Sequence, residues 1–384
     1  RVLVLISGGT ICMQDSIDGL IPTRNFAQNL MIPNLDFHQG SKVGATPVIN
    51  EDGKPTNAVT LQSPNRARLN HEDYDCSILE FQELIDSSSM DGSHWTKIAT
   101  TLQANWHAFD AFVVLHGTDT LAYTASILSF VLGDVDKTVI VTGSQLSMYA
   151  PHNDAHDNLL DSLTFAANFD VPEVSVVFHH HLYRATRVTK VSSFSLAAFT
   201  TPNARPLAIV RKHAGGIWTS TLYSKTIQPV GKTPDHDAAS KSGPVSATIG
   251  PLDTNRVAVL KVYPGISTNL ISHIAEMPDL RGLVLETFGA GNVPLTKHGL
   301  DLLEILSKAI ERGIVVVSVT QCLTGSVTSA YESARRMERR GIVTGLDMTT
   351  EAAYTKLVYL LSLQNLTHDE VANMMRQDLC RELT

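Results

Sequence analysis

Short apolar runs recur along the chain, and most of them precede an amphipathic stretch. The runs are rich in Val, Leu and Ile, which is typical of strands buried in a parallel sheet. They lie at 2–6, 111–115, 138–142, 174–178, 257–262, 282–286 and 314–319. Intervening segments such as 120–132, 157–167 and 301–309 carry apolar residues at helical spacing. This alternation predicts an α/β fold with a doubly wound, mostly parallel sheet and helices on both faces.

Two polar segments interrupt this alternation. Residues 39–75 are rich in Gly, Pro, Asn and charge, which predicts an irregular excursion. Residues 223–255 are interpreted as a linker or flexible loop. The chain is therefore predicted to have a larger N-terminal domain at 1–222 and a smaller C-terminal α/β domain at 256–384. The second domain is expected to end in helices, one of them introduced by a capping box from Thr367 to Glu370.

Composition narrows the classes of protein that fit. The chain has 384 residues, of which 43% are apolar and 18% charged, as expected for folded domains. A net charge of −8 without a basic tract argues against nucleic acid as a partner. The apolar runs are far shorter than the roughly 20 residues of a membrane span, and the first is interpreted as a strand rather than a signal peptide. Four widely spaced cysteines predict a reduced, cytoplasmic protein with neither a zinc nor a redox pair.

Candidate chemistry follows two of the predicted strands. The first strand runs into Ser7-Gly8-Gly9-Thr10, and the second into His116-Gly117-Thr118-Asp119-Thr120. Ligands bind at the carboxyl ends of strands in open α/β sheets. A threonine hydroxyl beside glycine offers a nucleophile and closely approaching backbone N–H groups, which favours chemistry on a carbonyl. The alternatives are a plain strand-to-helix turn at 8–10 and a helix N-cap at Thr118 or Asp119.

Two further polar features can complete such a site. Lys190 follows the strand at 174–178 and, if held near Thr118, could favour the deprotonated hydroxyl or accept its proton. The alternative for Lys190 is a solvated surface position. The turn-like segment 86–90 could hold a carboxylate through hydroxyl and N–H groups, although alone it fits a helix cap.

A run of histidines and a group of aspartates are not assigned to the candidate site. His179, His180 and His181 suggest a metal site, but consecutive residues of an extended segment point to opposite faces, so no metal is expected. Asp154, Asp157 and Asp161 recur near a predicted helix start and are expected to cap and solubilise it.

Together these motifs resemble the bacterial-type L-asparaginase family, in particular its cytosolic type I branch. The resemblance covers nearly the whole chain, and two threonine signatures in the family's order with the lysine downstream make it specific. The matching segments are 8–11, 86–88, 116–123, 141–145, 158–160, 182–184, 189–190, 202–203, 263–266, 286–289, 291–292 and 347–349.

The resemblance implies roles for individual residues. Thr10 corresponds to the nucleophile that attacks the side-chain amide. Thr118, Asp119 and Lys190 correspond to a second catalytic cluster, in which Asp119 also holds the substrate α-amino group. The loop that binds the α-carboxylate and α-amino ends corresponds to Asp86, Ser87 and Ser88.

The resemblance also implies an activity and an assembly. The expected enzyme is an amidohydrolase, acting on linear amides, that converts L-asparagine to L-aspartate and ammonia without a cofactor or metal. In this family an intimate dimer completes the active site, and many members are tetramers. Some type I relatives are allosteric, with asparagine at a second site.

The sequence departs from the family pattern in three places. Many relatives carry a lid tyrosine about ten residues after the first threonine, where this chain has Leu20. Tyr331 is similar in place to a tyrosine thought to take over that role in animal-type relatives. The common Ser-Asp-Gly reads Asn153-Asp154-Ala155 here, which predicts a different local loop because Ala disfavours positive φ. Ser7 replaces a common threonine and keeps the hydroxyl.

Several other functions compete with asparagine hydrolysis. One is a related amidase, either glutaminase-preferring or a tRNA-linked amidotransferase subunit, the latter disfavoured by the negative charge. Another is an inactive module that binds or senses an amino acid. A Rossmann nucleotide-binding domain is disfavoured because no Gly-x-Gly-x-x-Gly follows the first strand.

Overall fold

The computed structural model describes residues 1–17, 19–40, 43–62, 74–212, 218–224, 227–229, 251–294, 297–364 and 366–384. The chain divides by its internal contacts into two compact units, 1–201 with 205–246, and 202–204 with 247–384. Much of the predicted linker at 223–255 lies outside the described residues, so the predicted domain boundaries stay a prediction.

A ten-stranded mixed sheet forms the framework of the first unit. Its order is β15-β14-β11-β10-β8-β7-β1-β6-β5-β4, and the five strands from β10 to β6 are parallel. In chain order the strands of this unit are β1 Val2–Gly8, β2 Met13–Ser16, β3 Gly19–Pro22, β4 Gly44–Ile49, β5 Pro55–Gln62, β6 Asp75–Ile85, β7 Ala111–Leu115, β8 Thr138–Thr142, β9 Phe169–Asp170, β10 Val174–Phe178, β11 His181–Arg184, β12 Thr189–Lys190, β13 Phe199–Thr200, β14 Ala208–Lys212, β15 Trp218–Leu222 and β16 Gln228–Pro229.

Continuous burial explains the apolar runs of the central strands. Every residue of β1, β7, β8 and β10 is buried, so these strands carry no polar face. The helices of this unit are α1 Gly92–Ala104, α2 Leu121–Leu132 and α3 Ala155–Asn168. The predicted helices at 120–132 and 157–167 are thus confirmed as α2 and α3.

The second unit contains a four-stranded parallel sheet with helices on both faces. Its strands, in spatial order, are β17 Val257–Lys261, β18 Gly282–Thr287, β19 Val315–Thr320 and β20 Val343–Thr344. Leu283 and Leu285 share a core with Ile271 and Leu303, whereas Gly282, on the opposite face, lies against Leu357. The helices are α4 Thr268–Ala275, α5 Lys297–Glu311, α6 Glu332–Glu338, α7 Thr350–Ser362 and α8 His368–Met375. The predicted α/β fold class is confirmed.

The prediction of an irregular excursion at 39–75 is wrong for residues 44–62, whereas 41–42 and 63–73 lie outside the described residues. Within it, β4 and β5 form an antiparallel hairpin that extends the large sheet beyond β6. Pro47 lies in β4, the edge strand of the sheet, which is where proline is tolerated in β-structure. Asn50 Oδ1 holds the turn by accepting the Lys54 N–H at 2.8 Å. The polar composition of this segment therefore did not reveal the regular β4–β5 hairpin.

Two other expectations concern single elements. The capping box is confirmed, because Thr367 and Glu370 exchange side-chain and backbone hydrogen bonds at the start of α8. Among the described residues, no helix is both long and apolar enough to cross a bilayer.

Candidate active site

Glycines let the loops after β1, β6 and β7 touch one another. A Cβ on Gly8 would lie 2.1 Å from Ile85 O, and one on Gly9 would lie 2.2 Å from Gly117 N. Both glycines also have positive φ, 131° and 89°. The Gly9 N–H donates to Ile85 O at 2.9 Å. The segment leading to Thr10 therefore packs closely between the other two loops. A plain turn would not require such close backbone contacts.

The loop after β6 lies directly against the loop after β7. A Cβ on Gly117 would lie 2.5 Å from Ser87 Oγ, and the Thr120 hydroxyl donates to Ser87 O at 2.8 Å. Ser87 is buried, whereas Asp86 and Ser88 are exposed. Asp86 Oδ1 accepts the Ser88 N–H at 2.9 Å, so Asp86 does cap the short 3-10 turn that follows it. The cap orients this segment beside the candidate site.

Lys190 joins Thr118 and Asp119 into one hydrogen-bonded cluster. Its Nζ lies 2.9 Å from Thr118 Oγ1 and 2.7 Å from Asp119 Oδ1. Thr118 is buried, the Lys190 side chain is 18% exposed and the Asp119 side chain is 62% exposed. Lys190 is therefore not a solvated surface lysine. An ammonium beside a hydroxyl stabilises the alkoxide, and the exposed carboxylate remains accessible to a cationic group.

The helix-cap interpretation of Thr118 and Asp119 is wrong. Helix α2 begins at Leu121, its N-cap residue is Thr120, and the Thr120 hydroxyl bonds to the loop after β6 instead. Both residues thus lie before the cap, where their side chains are free to meet Lys190.

A buried chain of hydrogen bonds supports the loop that leads to Thr118. The Trp95 indole N–H donates to Thr124 Oγ1 at 2.9 Å, and Thr124 Oγ1 lies 2.9 Å from His116 Nε2. Because a carbonyl can only accept, Nδ1 carries the ring hydrogen and donates to Gly117 O at 2.7 Å. In the neutral ring Nε2 is then the acceptor, and it receives the Thr124 hydrogen. Burial lowers the pKa of His116 to about 4. The imidazole ring is therefore neutral near pH 7, which this series of hydrogen bonds requires.

Sequence analysis missed the role of Gln145, which it noted only as part of a motif. Thr118 Oγ1 donates to Gln145 Oε1 at 3.1 Å. Asp154, expected to cap α3, is instead buried and accepts the N–H groups of Gln145 and Leu146 at 3.0 and 2.9 Å. Ala155 is the first residue of α3. The loop after β8 is thus fixed by a carboxylate whose role the spacing of acidic residues did not indicate.

The histidine cluster forms a turn rather than an extended segment. His179 and His180 have φ of 47° and 65° and connect β10 to β11 as a two-residue hairpin turn. His180 Nδ1 lies 2.8 Å from Asp161 Oδ2, a buried carboxylate that was expected to solubilise α3. The premise of opposite-facing side chains was therefore wrong. Across the described ranges, no group of three His, Cys, Asp or Glu residues is arranged to hold a metal.

Three further candidate residues lie outside this cluster. Thr10 is partly exposed and opens a 3-10 turn at Thr10–Cys12. Leu20 lies in the β2–β3 hairpin that follows, pairs with Asp15 and is 48% exposed. Tyr331 lies in the second unit as the N-cap of α6 and is 55% exposed.

The fold places the cluster of Thr118, Asp119 and Lys190, together with the loop that leads to Thr10, at the carboxyl end of the parallel sheet of an α/β protein. Residues 1–221 match the model of the asparaginase N-terminal domain, and residues 256–375 match that of the glutaminase/asparaginase C-terminal domain. The chain belongs to the asparaginase family.

Individual relatives agree with this membership. L-asparaginase 1 of Escherichia coli is 35% identical over 384 residues, covering 100% of this chain and 98% of that protein. The 60 kDa lysophospholipase of Homo sapiens is 37% identical over the whole chain, which spans 61% of that relative's length. The crystal structure of L-asparaginase I from Vibrio cholerae has a TM-score of 0.77 at 34% identity, covering 100% of this chain and 98% of that one.

Proposed function

We propose that this protein hydrolyses L-asparagine to L-aspartate and ammonia. The observation that carries the proposal is the Lys190 Nζ contact with both Thr118 Oγ1 and Asp119 Oδ1, at 2.9 and 2.7 Å. This cluster adjoins the glycine loop that leads to Thr10. Relatives that span the full chain and carry the name L-asparaginase support the choice of substrate.

The substrate is held by its charged end groups. Asp119 presents an exposed carboxylate to the α-ammonium, and Lys190 keeps that carboxylate oriented. The α-carboxylate binds to the segment formed by Asp86, Ser87 and Ser88, whose hydroxyl and N–H groups are donors. This arrangement leaves the side-chain amide directed towards the threonines.

The reaction proceeds through a covalent intermediate. Thr10 Oγ1 loses its proton and adds to the amide carbon, giving a tetrahedral oxyanion that backbone N–H groups near Thr10 stabilise. The C–N bond then breaks, and the leaving nitrogen takes up the proton that Thr10 released and departs as ammonia. Water then cleaves the threonyl ester, giving aspartate and restoring the Thr10 hydroxyl, while Thr118 and Lys190 relay the proton. No cofactor enters this sequence.

Tyr331 is proposed as a catalytic residue that replaces the lid tyrosine, because Leu20 has no titratable group. The support is the exposed phenol of Tyr331 together with the family resemblance. Tyr331→Phe is expected to lower kcat for asparagine, and unchanged kcat would remove Tyr331 from the catalytic residues.

We further propose that the protein acts as a homodimer or tetramer in the cytoplasm. Val191, Phe194 and Leu196, in the segment after Lys190, are 44%, 88% and 39% exposed, an apolar surface suited to self-association. All four cysteines are free, which agrees with a reducing compartment. Light scattering of the purified protein measures the assembly, and a monomer at micromolar concentration would contradict it.

A lipid-directed activity is the second candidate. It is favoured by the name of the human relative and by Ile17, Leu20 and Ile21, which expose apolar side chains on the hairpin after Thr10. Such a surface is suited to contact with an acyl chain.

One substrate panel separates these functions. Purified wild type and Lys190→Met are assayed with L-asparagine, L-glutamine and lysophosphatidylcholine. We expect ammonia release from asparagine by wild type and none by the variant. Preference for glutamine, or fatty-acid release alone, would replace the proposed function with the corresponding alternative. Asparagine binding without any turnover would identify an inactive binding module.

A further inference from the structure

The side chain of Gln145 occupies a bridging position in the cluster around Thr118. Its Oε1 accepts the Thr118 hydroxyl at 3.1 Å, and its Nε2 lies 3.5 Å from Ser192 O, two residues beyond Lys190. Because a carbonyl can only accept, the amide nitrogen faces Ser192 O and the amide oxygen faces Thr118. The amide orientation is therefore determined by its two partners.

This orientation decides where the hydrogen of the Thr118 hydroxyl points. A threonine hydroxyl has one hydrogen, and in this arrangement Gln145 receives it. At the 2.9 Å contact Lys190 Nζ donates to Thr118 Oγ1, because an ammonium has no acceptor. Nζ donates in parallel to Asp119. The hydroxyl oxygen consequently directs a lone pair at Lys190, and its rotamer is fixed on both sides.

The backbone around Gln145 is held as firmly as its side chain. Asp154 accepts the N–H groups of Gln145 and Leu146, and its Oδ2 accepts from Asn158 Nδ2 at 3.2 Å. Asn158 Nδ2 also donates to Gly143 O at 2.9 Å. Both Asp154 and Asn158 are buried. A buried, fully partnered support is what precise positioning of a reacting hydroxyl requires.

We propose that Gln145 is a positioning residue that accepts the Thr118 hydrogen and thereby holds the Thr118 hydroxyl with a lone pair towards Lys190. The proposal rests on asparagine hydrolysis as the proposed function and deepens it by adding a residue that acts through Thr118. Since Gln145 acts on Thr118 rather than on the charged ends of the substrate, its loss affects turnover more than binding.

Two substitutions separate the acceptor from the shape of the side chain. Gln145→Met keeps the length but removes the acceptor, and we expect kcat to fall about ten-fold with KM within about two-fold, the effect of one lost hydrogen bond to the reacting group. Gln145→Glu keeps an acceptor and should recover most of that kcat. The exposed neighbour provides the control, and Leu146→Ala should retain wild-type kcat.

The pH profile gives a readout that a purely structural role would not move. Gln145 Oε1 and Lys190 Nζ share Thr118 Oγ1, so a carboxylate at position 145 lies within about 6 Å of the lysine. In Gln145→Glu this added charge beside the ammonium is therefore expected to change the pH profile of kcat relative to wild type, whereas Gln145→Met adds no charge and should leave the profile unmoved.

The outcomes distinguish this proposal from the function on which it rests. Failure of wild type to release ammonia from asparagine overturns both. An active wild type with unchanged kcat in Gln145→Met overturns the positioning role alone. The role is also overturned if Gln145→Glu is as slow as Gln145→Met and its pH profile does not move.

Discussion

Acid is expected to destabilise the first unit through one buried histidine. His116 is fully buried, donates to Gly117 O and accepts from Thr124. Burial lowers its pKa from 6.5 to about 4. In the unfolded chain the ring takes up a proton near pH 6.5, while the folded protein does so only near pH 4. Stability from this group is therefore fully present above pH 6.5 and is lost as the pH falls towards 4.

The size of the effect follows from the gap between the two pKa values. One pH unit of separation corresponds to about 1.4 kcal/mol. The gap between 6.5 and about 4 thus corresponds to about 3 kcal/mol in total, of which about 2 kcal/mol is lost on going from pH 7.5 to pH 5.0. His116→Asn keeps a side-chain N–H for Gly117 O but does not titrate in this range, so it lacks this dependence.

The assay is urea unfolding followed by tryptophan fluorescence at pH 7.5 and 5.0. All three tryptophans, Trp95, Trp106 and Trp218, belong to the first unit. Wild type should lose about 2 kcal/mol more unfolding free energy than His116→Asn over this interval. The exposed residue His107 is the control, and His107→Asn should behave as wild type. Equal losses in wild type and His116→Asn would refute the reasoning.

Three further substitutions test separate parts of the structure. Gly9→Ala places a Cβ 2.2 Å from Gly117 N at positive φ. The variant should lose more than about 2 kcal/mol of unfolding free energy in urea and should release no ammonia. Wild-type values for both would contradict the close approach. His179→Asn relieves a left-handed histidine and should raise unfolding free energy by about 0.5 kcal/mol, whereas a loss of stability would show that the histidine is required. Lys356→Met leaves the buried Glu382 carboxylate, 2.6 Å from Lys356 Nζ, without its ion-pair partner. Unfolding followed by circular dichroism should show a loss of about 3–5 kcal/mol of unfolding free energy. Adding Glu382→Gln should recover most of that loss, and no recovery would contradict the ion-pair account.

Sequence periodicity predicted the fold well where elements are buried on all sides. The runs at 2–6, 111–115 and 138–142 contain only residues that the sheet buries, so apolar continuity alone identifies them. The β4–β5 hairpin was missed because it lies at the edge of the sheet, where Pro, Thr and Asn are tolerated and apolar runs are short.

The sequence predicted which residue types form the candidate site, but it could not predict which of them are in contact. Thr118 and Lys190 are 72 positions apart, and only the sheet brings them to 2.9 Å. One structural expectation failed for the same reason. Asp154 binds the loop after β8 rather than capping its own helix. Such partners depend on which loops the parallel strands juxtapose, and local spacing does not encode this.

The central claim is that Thr10 carries the acyl group of asparagine during hydrolysis. The most direct measurement is an acid quench of wild type during turnover, followed by digestion and mass spectrometry of the peptide that contains Thr10. We expect an aspartyl ester on Thr10 in wild type, and neither ester nor ammonia release in Thr10→Ala. Ammonia release by Thr10→Ala at the wild-type rate, or an ester found on Thr118 instead, would contradict the claim.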